Sequence, residues 1–366
     1  MRNLGRIRSN VGRLEEAFQR SGHLMELPHA VYVGEGALLQ LGDLLRNQSL
    51  QGPICIASGP HVRKLIGEEL ANGLKGYQLN WVEVNSPTEE AAREVVKRAR
   101  EMKAMTIVGF GGGKTIDVSK VAAQTINLPM VSVPTSASHD GISSPFASLR
   151  DSNKPYSKIT RPPYIIAVDL EIIAKAPHRL FRGGFGDLVA KVTSVKDWEL
   201  ARDEVKEYYG DYAASLAAMS AKHVMERADD IKKITKEGVR ALIEALISSG
   251  VAAGIAGSSR PCSGSEHLIS HALELIAPGL GLHGEKTGLS TVMMAELHGL
   301  DWEAVKTSLE RAGCPTTFSQ LGITEEQLVE AIVKAPSIRP ERYTILHKLN
   351  LDRNEARSLA RRTNVI

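Results

Sequence analysis

The chain has 366 residues, enough for about two domains that each bury a hydrophobic core. Its composition is 43% hydrophobic and 24% charged, and its net charge of +3 predicts no nucleic-acid-binding or membrane-binding surface. No apolar run reaches the roughly 18 uninterrupted residues that indicate a membrane helix, and the best candidate, residues 241–259, contains Glu244 and several serines. We therefore predict that this segment is a buried helix.

Three cysteines without C-x-x-C spacing, Cys55, Cys262 and Cys314, predict reduced thiols rather than disulfides or a zinc knuckle. Reduced thiols are typical of a cytoplasmic protein, which is the localisation that we expect.

Short runs rich in valine and isoleucine alternate with helical patterns through the first half of the chain. The predicted strands are residues 29–33, 53–58, 79–84, 105–110, 129–134 and 164–169. The predicted helices between them include residues 36–47, 62–73 and 88–103. Strands that alternate with helices predict a parallel sheet with helices on both faces, an architecture typical of nucleotide-binding domains.

The connection 136–163 is longer than a plain loop requires, and we expect it to be functional. From about residue 187 onward the chain holds long helical periodicities and no valine-rich strand run. The sequence therefore predicts an α/β domain followed by an all-helical domain, with the boundary near residues 170–186.

A glycine-rich turn, Gly109-Phe110-Gly111-Gly112-Gly113, separates a predicted strand from a helix that begins at about Lys114. Glycines there let the backbone approach a phosphate, and the helix N-terminus supplies free N–H groups and a positive dipole end. The spacing matches neither G-x-G-x-x-G nor the P-loop motif. A tight turn without a ligand is the alternative, although three glycines carry an entropic cost that such a turn would not require.

Short polar side chains crowd the segment after the next strand. They are Thr135, Ser136, Ser138, His139, Asp140, Ser143 and Ser144. This density is typical of a loop that hydrogen-bonds a cofactor or a polyol, and a solvated loop is an equal alternative.

Two histidines, His267 and His271, stand four residues apart and share one face of a predicted helix. His283 follows within a glycine-rich stretch, and Asp187 follows another, GGFG. A catalytic zinc site needs three protein ligands and an open position, and glycines on both sides suit close packing around a compact site. Spacing alone leaves open whether these residues bind a metal, because paired helix histidines are usually structural.

Five blocks carry a resemblance to a known family: GFGGGKTIDVSK, PTSASHDG, GGFGDLVAKV, SGSEHLISHALE and LHGEKTG. In this order, over about residues 30–340, they resemble the archaeal sn-glycerol-1-phosphate dehydrogenases. That family belongs to the larger group of iron-dependent alcohol dehydrogenases, glycerol dehydrogenases and dehydroquinate synthases. The resemblance implies a Rossmann-like NAD(P)-binding domain over residues 1–175 and a helical metal- and substrate-binding domain over residues 176–366.

The implied activity is the reversible, zinc-assisted reduction of dihydroxyacetone phosphate to sn-glycerol 1-phosphate, which supplies the backbone of archaeal membrane lipids. The resemblance also implies that Asp187, His267 and His283 bind one Zn²⁺ per subunit, while His271 and Asp140 face the substrate. Asp187 is expected to contact the substrate as well as the metal. The iron-dependent relatives carry a further histidine where this chain has Lys191, which fits zinc and argues against iron.

The cofactor-binding positions that the resemblance implies lie in the first two blocks. They are Gly111, Gly112, Gly113, Lys114, Thr115, Asp117, Thr135, Ser136, Ser138 and Ser144.

Two further expectations concern charge. NAD-selective sites commonly place a carboxylate after the second strand, but the segment 58–64 has none, so we predict that NADP is used at least as well as NAD. The substrate phosphate needs a basic partner, and the candidates are Lys154, Lys158, Arg161 and Arg260. We also expect a homo-oligomer.

Rival functions remain open at this point. A glycerol dehydrogenase would share the metal triad but act on the unphosphorylated polyol. A lyase like dehydroquinate synthase would use NAD and zinc, but that group carries glutamate where Asp187 stands. A non-catalytic protein that kept the fold is the third alternative.

Overall fold

The computed structural model describes residues 23–151 and 154–366. The strands are β1 (Ala30–Gly34), β2 (Ile54–Ser58), β3 (Leu79–Glu83), β4 (Thr106–Gly111), β5 (Met130–Pro134), β6 (Phe146–Asp151), β7 (Lys154–Ile159) and β8 (Ile165–Asp169). Six of them form one sheet in the order β1-β8-β5-β4-β2-β3, and every neighbouring pair is parallel. All six predicted strands are confirmed.

Helices connect these parallel strands, as a parallel sheet requires. The helices between consecutive strands are α1 (Leu41–Asn47), α2 (Pro60–Gly73), α3 (Glu89–Glu101) and α4 (Gly113–Ile126), whereas α5 (Leu170–Ala174) follows β8. The sequence determines α3 locally, since the Thr88 side chain caps it by accepting from the N–H of Ala91. Its buried face consists of Ala92, Val95, Val96 and Ala99, the spacing expected of a helix packed on a sheet.

The long connection after β5 contains structure that the sequence analysis did not predict. A 3₁₀ turn, Asp140–Ile142, is followed by the antiparallel hairpin of β6 and β7. The N–H of Ser148 in this hairpin donates to the Asp117 carboxylate at 3.1 Å, which ties the hairpin to α4.

After Asp169 every regular element is helical. Following α5 these are α6 (His178–Val189), α7 (Lys191–Val205), α8 (Asp211–Glu226), α9 (Ala228–Lys232), α10 (Lys236–Ala256), α11 (Ser265–Ile276), α12 (His283–Leu297), α13 (Trp302–Arg311), α14 (Glu325–Ile338), α15 (Ile345–Leu349) and α16 (Arg353–Arg362), together with 3₁₀ turns. The predicted fold class, an α/β region followed by a helical region, is confirmed.

Helix α10 is long and apolar enough to cross a membrane by length and composition alone. In its most apolar stretch, however, 72% of the residues are buried inside the protein. This agrees with the prediction of a buried helix at this position.

One hydrophobic core runs from the sheet into the helical half, joining residues such as Val95, Phe185, Leu246 and Leu289. The 3₁₀ turn Asp140–Ile142, which follows β5 at the carboxyl edge of the sheet, contacts both α6 and α10. The candidate site is at this junction.

Candidate active site

The glycine-rich turn lies where β4 ends at Gly111 and α4 begins at Gly113. A Cβ on Gly113 would lie 1.7 Å from Nε2 of His139, so the close approach of this imidazole requires glycine there. The N–H of Thr135 donates to the Gly111 carbonyl at 3.0 Å, which joins the two segments predicted to bind the cofactor. A helix N-terminus and a hydroxyl-rich loop therefore meet at one edge of the sheet.

The other predicted cofactor residues in this region differ in exposure. Lys114 is exposed, Gly112, Thr135 and Ser138 are half-buried, and Thr115, Ser136 and Ser144 are buried.

Asp117 contacts the protein itself through both of its carboxylate oxygens. Oδ2 accepts the Ser148 N–H, and Oδ1 lies 2.9 Å from Nζ of Lys120. Lys120 also donates to the carbonyls of Gly141, Ser144 and Phe146. The pair thus fixes the loop beside the glycine turn, and a direct contact between Asp117 and the cofactor stays a prediction.

Three separate elements bring the predicted metal ligands together. Oδ1 of Asp187 on α6 lies 3.5 Å from Nε2 of His267 on α11 and 4.0 Å from Nε2 of His283, the first residue of α12. A tetrahedral zinc with bonds of about 2.0–2.1 Å separates its ligand atoms by about 3.3–3.5 Å. The donor set and its spacing therefore fit a zinc ion after small side-chain adjustments.

Glycines let the helices that carry these ligands pack closely. A Cβ on Gly186 would lie 2.1 Å from the carbonyl oxygen of Gly284, and one on Gly284 would lie 1.8 Å from that of Gly183. Any larger residue would push α6 and α12 apart and separate Asp187 from His283. The expectation that these glycine-rich stretches serve close packing is confirmed.

Two carboxylates orient the imidazoles of the predicted metal ligands, and the sequence analysis missed both. Nδ1 of His267 lies 2.7 Å from Oε1 of Glu266, which also accepts the Gly264 N–H at 2.6 Å. Nδ1 of His283 lies 3.5 Å from Oε1 of Glu274. With Nδ1 directed at a carboxylate, each ring presents Nε2 to the triad, an orientation common in metal sites.

His271 stands outside the triad. Its Nδ1 lies 3.6 Å from Oε2 of Glu274, so one carboxylate contacts both His271 and the predicted ligand His283. Burial lowers the pKa of His271 to about 4, and it lowers the pKa of His283 as well. Burial by itself would raise the pKa of Glu274, but hydrogen bonds to His271 and His283 have the larger combined effect. The pKa of Glu274 is therefore lowered.

Asp140 and Lys191 complete the site. The backbone N–H of Asp140 donates to Oδ2 of Asp187 at 3.1 Å, and Nζ of Lys191 lies 3.0 Å from Asp140 Oδ2 and 3.2 Å from Asp187 Oδ2. Burial acts to lower the pKa of Lys191, but the two carboxylates outweigh it and raise the pKa. Burial acts to raise the pKa of Asp187, but Lys191, followed by the histidines, lowers it.

The charges of this cluster favour a divalent cation. Four carboxylates face two ammonium groups, Lys191 and Lys286, the latter buried with Nζ 3.6 Å from Glu274. The carboxylates are Asp140, Asp187, Glu266 and Glu274. Histidines that bind a metal are neutral, so two negative charges of the cluster would remain for a bound cation to balance. A bound Zn²⁺ would balance them.

The basic residues proposed for the substrate phosphate have other partners. Lys158 pairs with Glu89, Arg161 donates to Asn127, and Arg260 pairs with Glu207 and donates to the Tyr343 carbonyl. The side chain of Lys154 lies outside the described part of the chain. Lys286, which the sequence analysis did not consider, lies one turn after His283.

The segment proposed to select the cofactor follows β2. Its exposed side chains include those of His61, Arg63 and Lys64. The Arg63 guanidinium stacks on the Trp81 ring, with 5.1 Å to the ring centroid. The three cysteines are free, as predicted, and the structure places all of them in the interior.

The fold defines a class of dehydrogenase. Residues 32–177 match the model of the family described as iron-containing alcohol dehydrogenase. A solved glycerol dehydrogenase from Schizosaccharomyces pombe superposes with a TM-score of 0.77 at 18% identity, covering 93% of this chain and 90% of that one. Sulfoacetaldehyde reductase from Bifidobacterium kashiwanohense, solved with NAD⁺, superposes with a TM-score of 0.75 at 16% identity, covering 93% of this chain and 98% of that one. The chain therefore has the fold of the iron-containing alcohol dehydrogenase class.

Closer relatives define the family within that class. The chain is 48% identical over 94% of its length to a protein from Hyperthermus butylicus named glycerol-1-phosphate dehydrogenase [NAD(P)+], of which it covers 99%. A protein of the same name from Nitrosopumilus maritimus is 44% identical over 94% of this chain and 97% of its own length. The chain belongs to the glycerol-1-phosphate dehydrogenase family.

Proposed function

We propose that the chain reduces dihydroxyacetone phosphate reversibly to sn-glycerol 1-phosphate with NADPH or NADH, and thereby supplies the glycerophosphate backbone of archaeal membrane lipids. The relatives that share the chain over nearly its whole length bear this activity in their name. The observation that carries the proposal is the convergence of Asp187, His267 and His283 beside the carboxyl edge of a nucleotide-binding sheet.

The metal that fits this triad best is one zinc ion per subunit. Imidazole and carboxylate ligands suit zinc, and three protein ligands leave a position open for the substrate oxygen. The side chain that follows Asp187 by one helical turn, Lys191, is a cation and cannot supply a fourth ligand. When bound, zinc would supply Lewis-acid polarisation of the substrate oxygen.

His271 is suited to the proton transfer of this reaction. Its Nδ1 faces the carboxylate of Glu274, so the neutral ring carries its proton on Nδ1 and leaves Nε2 as an acceptor. In the oxidation direction Nε2 accepts the proton of the substrate hydroxyl, and Glu274 stabilises the imidazolium. In the reduction direction the same atom returns the proton to the oxygen.

Asp140 would bind the substrate hydroxyls beside the triad. Lys191 and Ser249 hold its Oδ2 at 3.0 and 2.9 Å, which leaves Oδ1 as the acceptor for substrate. The 3₁₀ turn that carries Asp140 rests on α10, where a Cβ on Gly250 would lie 2.8 Å from the Asp140 carbonyl oxygen. The position of the Asp140 carboxylate is therefore set by α7, through Lys191, and by α10, through Ser249 and Gly250.

The cofactor would bind with its pyrophosphate at Gly111, Gly112, Gly113, Lys114 and Thr115. The free N–H groups and the dipole of α4 favour an anion there. Asp117 would complete the pyrophosphate side, Thr135, Ser136 and Ser138 would lie near the ribose and nicotinamide, and Ser144 would be a further cofactor contact. The bond from the Thr135 N–H to the Gly111 carbonyl and the proximity of Ser136 Oγ to Gly112 support this assignment. Arg63 and Lys64 suit the 2′-phosphate of NADP.

An assay of the purified protein with dihydroxyacetone phosphate, dihydroxyacetone and NADPH tests this proposal. We expect rapid NADPH oxidation with the phosphate ester only, and chiral analysis should identify the product as sn-glycerol 1-phosphate. Preference for dihydroxyacetone would indicate a glycerol dehydrogenase, and the sn-3 enantiomer would refute the stereochemistry. No net redox change would indicate a recycling lyase or a protein without catalysis. A cytoplasmic homo-oligomer stays our expectation.

A further inference from the structure

Lys191 differs from the other fully buried lysine of the described chain, Lys120, in what it contacts. Lys120 donates to three backbone carbonyls and pairs with Asp117. These contacts hold α4 against the segment that follows β5, which is a structural role. Within the described residues, Nζ of Lys191 has no backbone acceptor, and its two partners are the carboxylates of Asp140 and Asp187. Both belong to the proposed site.

The two carboxylate oxygens of Asp187 have different partners. Oδ1 faces Nε2 of His267 and Nε2 of His283, whereas Oδ2 faces Nζ of Lys191 and the N–H of Asp140. A carboxylate whose second oxygen is held in this way offers the metal one oxygen. The same ammonium holds Oδ2 of Asp140, so the metal ligand and the substrate-binding carboxylate share one cation.

We propose that Lys191 is a positioning residue that keeps Asp187 a monodentate ligand and holds Asp140 beside the metal. The inference rests on the proposed function for the identity of the site, but it concerns residues that the chain itself supplies. By drawing negative charge away from Asp187, the ammonium also leaves a bound cation the stronger Lewis acid. Without it, two buried carboxylates would repel each other and Oδ2 of Asp187 would turn toward the metal.

Cobalt substitution tests the proposal without any substrate. Co²⁺ reports its coordination through its visible absorption, which is intense for four ligands and weaker when a fifth is added. We expect wild type loaded with Co²⁺ to show the intense four-coordinate bands. In Lys191→Met we expect these bands to weaken and kcat to fall by about 10- to 100-fold, the size typical of residues that hold metal ligands. Lys191→Arg, which can bridge both carboxylates, should restore part of the intensity.

Arg260→Met is the matched control, because it also removes a buried cation from the helical half, one that is held by Glu207. It should leave the cobalt spectrum as in wild type even where it lowers the melting temperature. If Lys191→Met does not fold, Lys191→Gln retains one donor and keeps the test available. A cobalt spectrum unchanged in the folded Lys191 variant, or changed equally in both variants, overturns the proposal. A wild type that binds no Co²⁺ refutes the proposed metal centre and, with it, the role of Lys191, whereas a failed substrate assay leaves the spectroscopic result standing.

Discussion

Glu266→Gln tests how the protein orients His267, a proposed metal ligand. The Glu266 carboxylate is fully buried and accepts from the Gly264 N–H at 2.6 Å and the Thr193 hydroxyl at 2.8 Å while it contacts Nδ1 of His267 at 2.7 Å. An amide of the same shape can keep its oxygen on the Gly264 N–H and Nδ1, and its NH₂ can donate to the Thr193 hydroxyl. The substitution therefore removes the charge and leaves the hydrogen bonds in place.

The expected effect follows from the charge that is lost. A hydrogen bond to an ionised acceptor is about twice as strong as a neutral one, and it makes the imidazole a better donor to the metal. Substitutions of this kind weaken metal binding by about 10- to 100-fold, which is about 1.4–2.7 kcal/mol. Competition with a chromogenic chelator at fixed pH measures the zinc affinity directly.

Glu285→Gln is the control for this experiment. Glu285 is also buried, and it lies on α12 two residues after His283, but its partners are the N–H of Leu282 and the guanidinium of Arg179. Its amide variant should bind zinc as wild type does. Wild-type affinity in Glu266→Gln, or an equal loss in both variants, would show that the Glu266 carboxylate does not support the metal ligand.

Four further outcomes are expected. His271→Ala should lower kcat by about 10²- to 10⁴-fold while zinc analysis still finds one ion per chain, and zinc loss would contradict the separation of its role from that of the ligands. Gly284→Ala places a Cβ 1.8 Å from the Gly183 carbonyl oxygen, so we expect a loss of about 1–3 kcal/mol in denaturant unfolding together with zinc release; a stable, zinc-loaded variant would refute the packing argument. Initial rates should give kcat/KM for NADPH at least equal to that for NADH, because Arg63 and Lys64 stand where a carboxylate would select NAD; a strong NADH preference would contradict this. Chelation should abolish activity and added Zn²⁺ should restore it, whereas full activity in the chelated protein would exclude a metal role.

The parallel sheet could be predicted because its signals are local. Strands buried on both faces, such as β4 and β5, are nearly continuous apolar runs in the sequence, and α3 carries its own cap at Thr88. The hairpin of β6 and β7 escaped prediction because its sequence mixes apolar, charged and small residues. It is stabilised by distant partners, including the bond from Ser148 to Asp117.

The candidate site, too, could be predicted only in part, because some of its features depend on nearby residues in the sequence and others on distant ones. Spacing indicated that His267 and His271 share a helix face, and the family resemblance supplied Asp187 and His283 as partners. The roles of the two histidines depend on what other helices place beside them: Nε2 of His267 faces Asp187, whereas Nδ1 of His271 faces Glu274.

The sequence by itself therefore determined the two-part architecture and the glycine-rich turn between β4 and α4, and through the family resemblance it predicted the metal ligands. Only the tertiary structure decided which oxygen of Asp187 is free, which nitrogen each imidazole presents, and that Lys191 joins Asp187 to Asp140. The physical reason is that periodicity specifies the face of a helix on which a side chain lies. Its rotamer, charge partners and burial depend on helices that pack against that face from elsewhere in the chain.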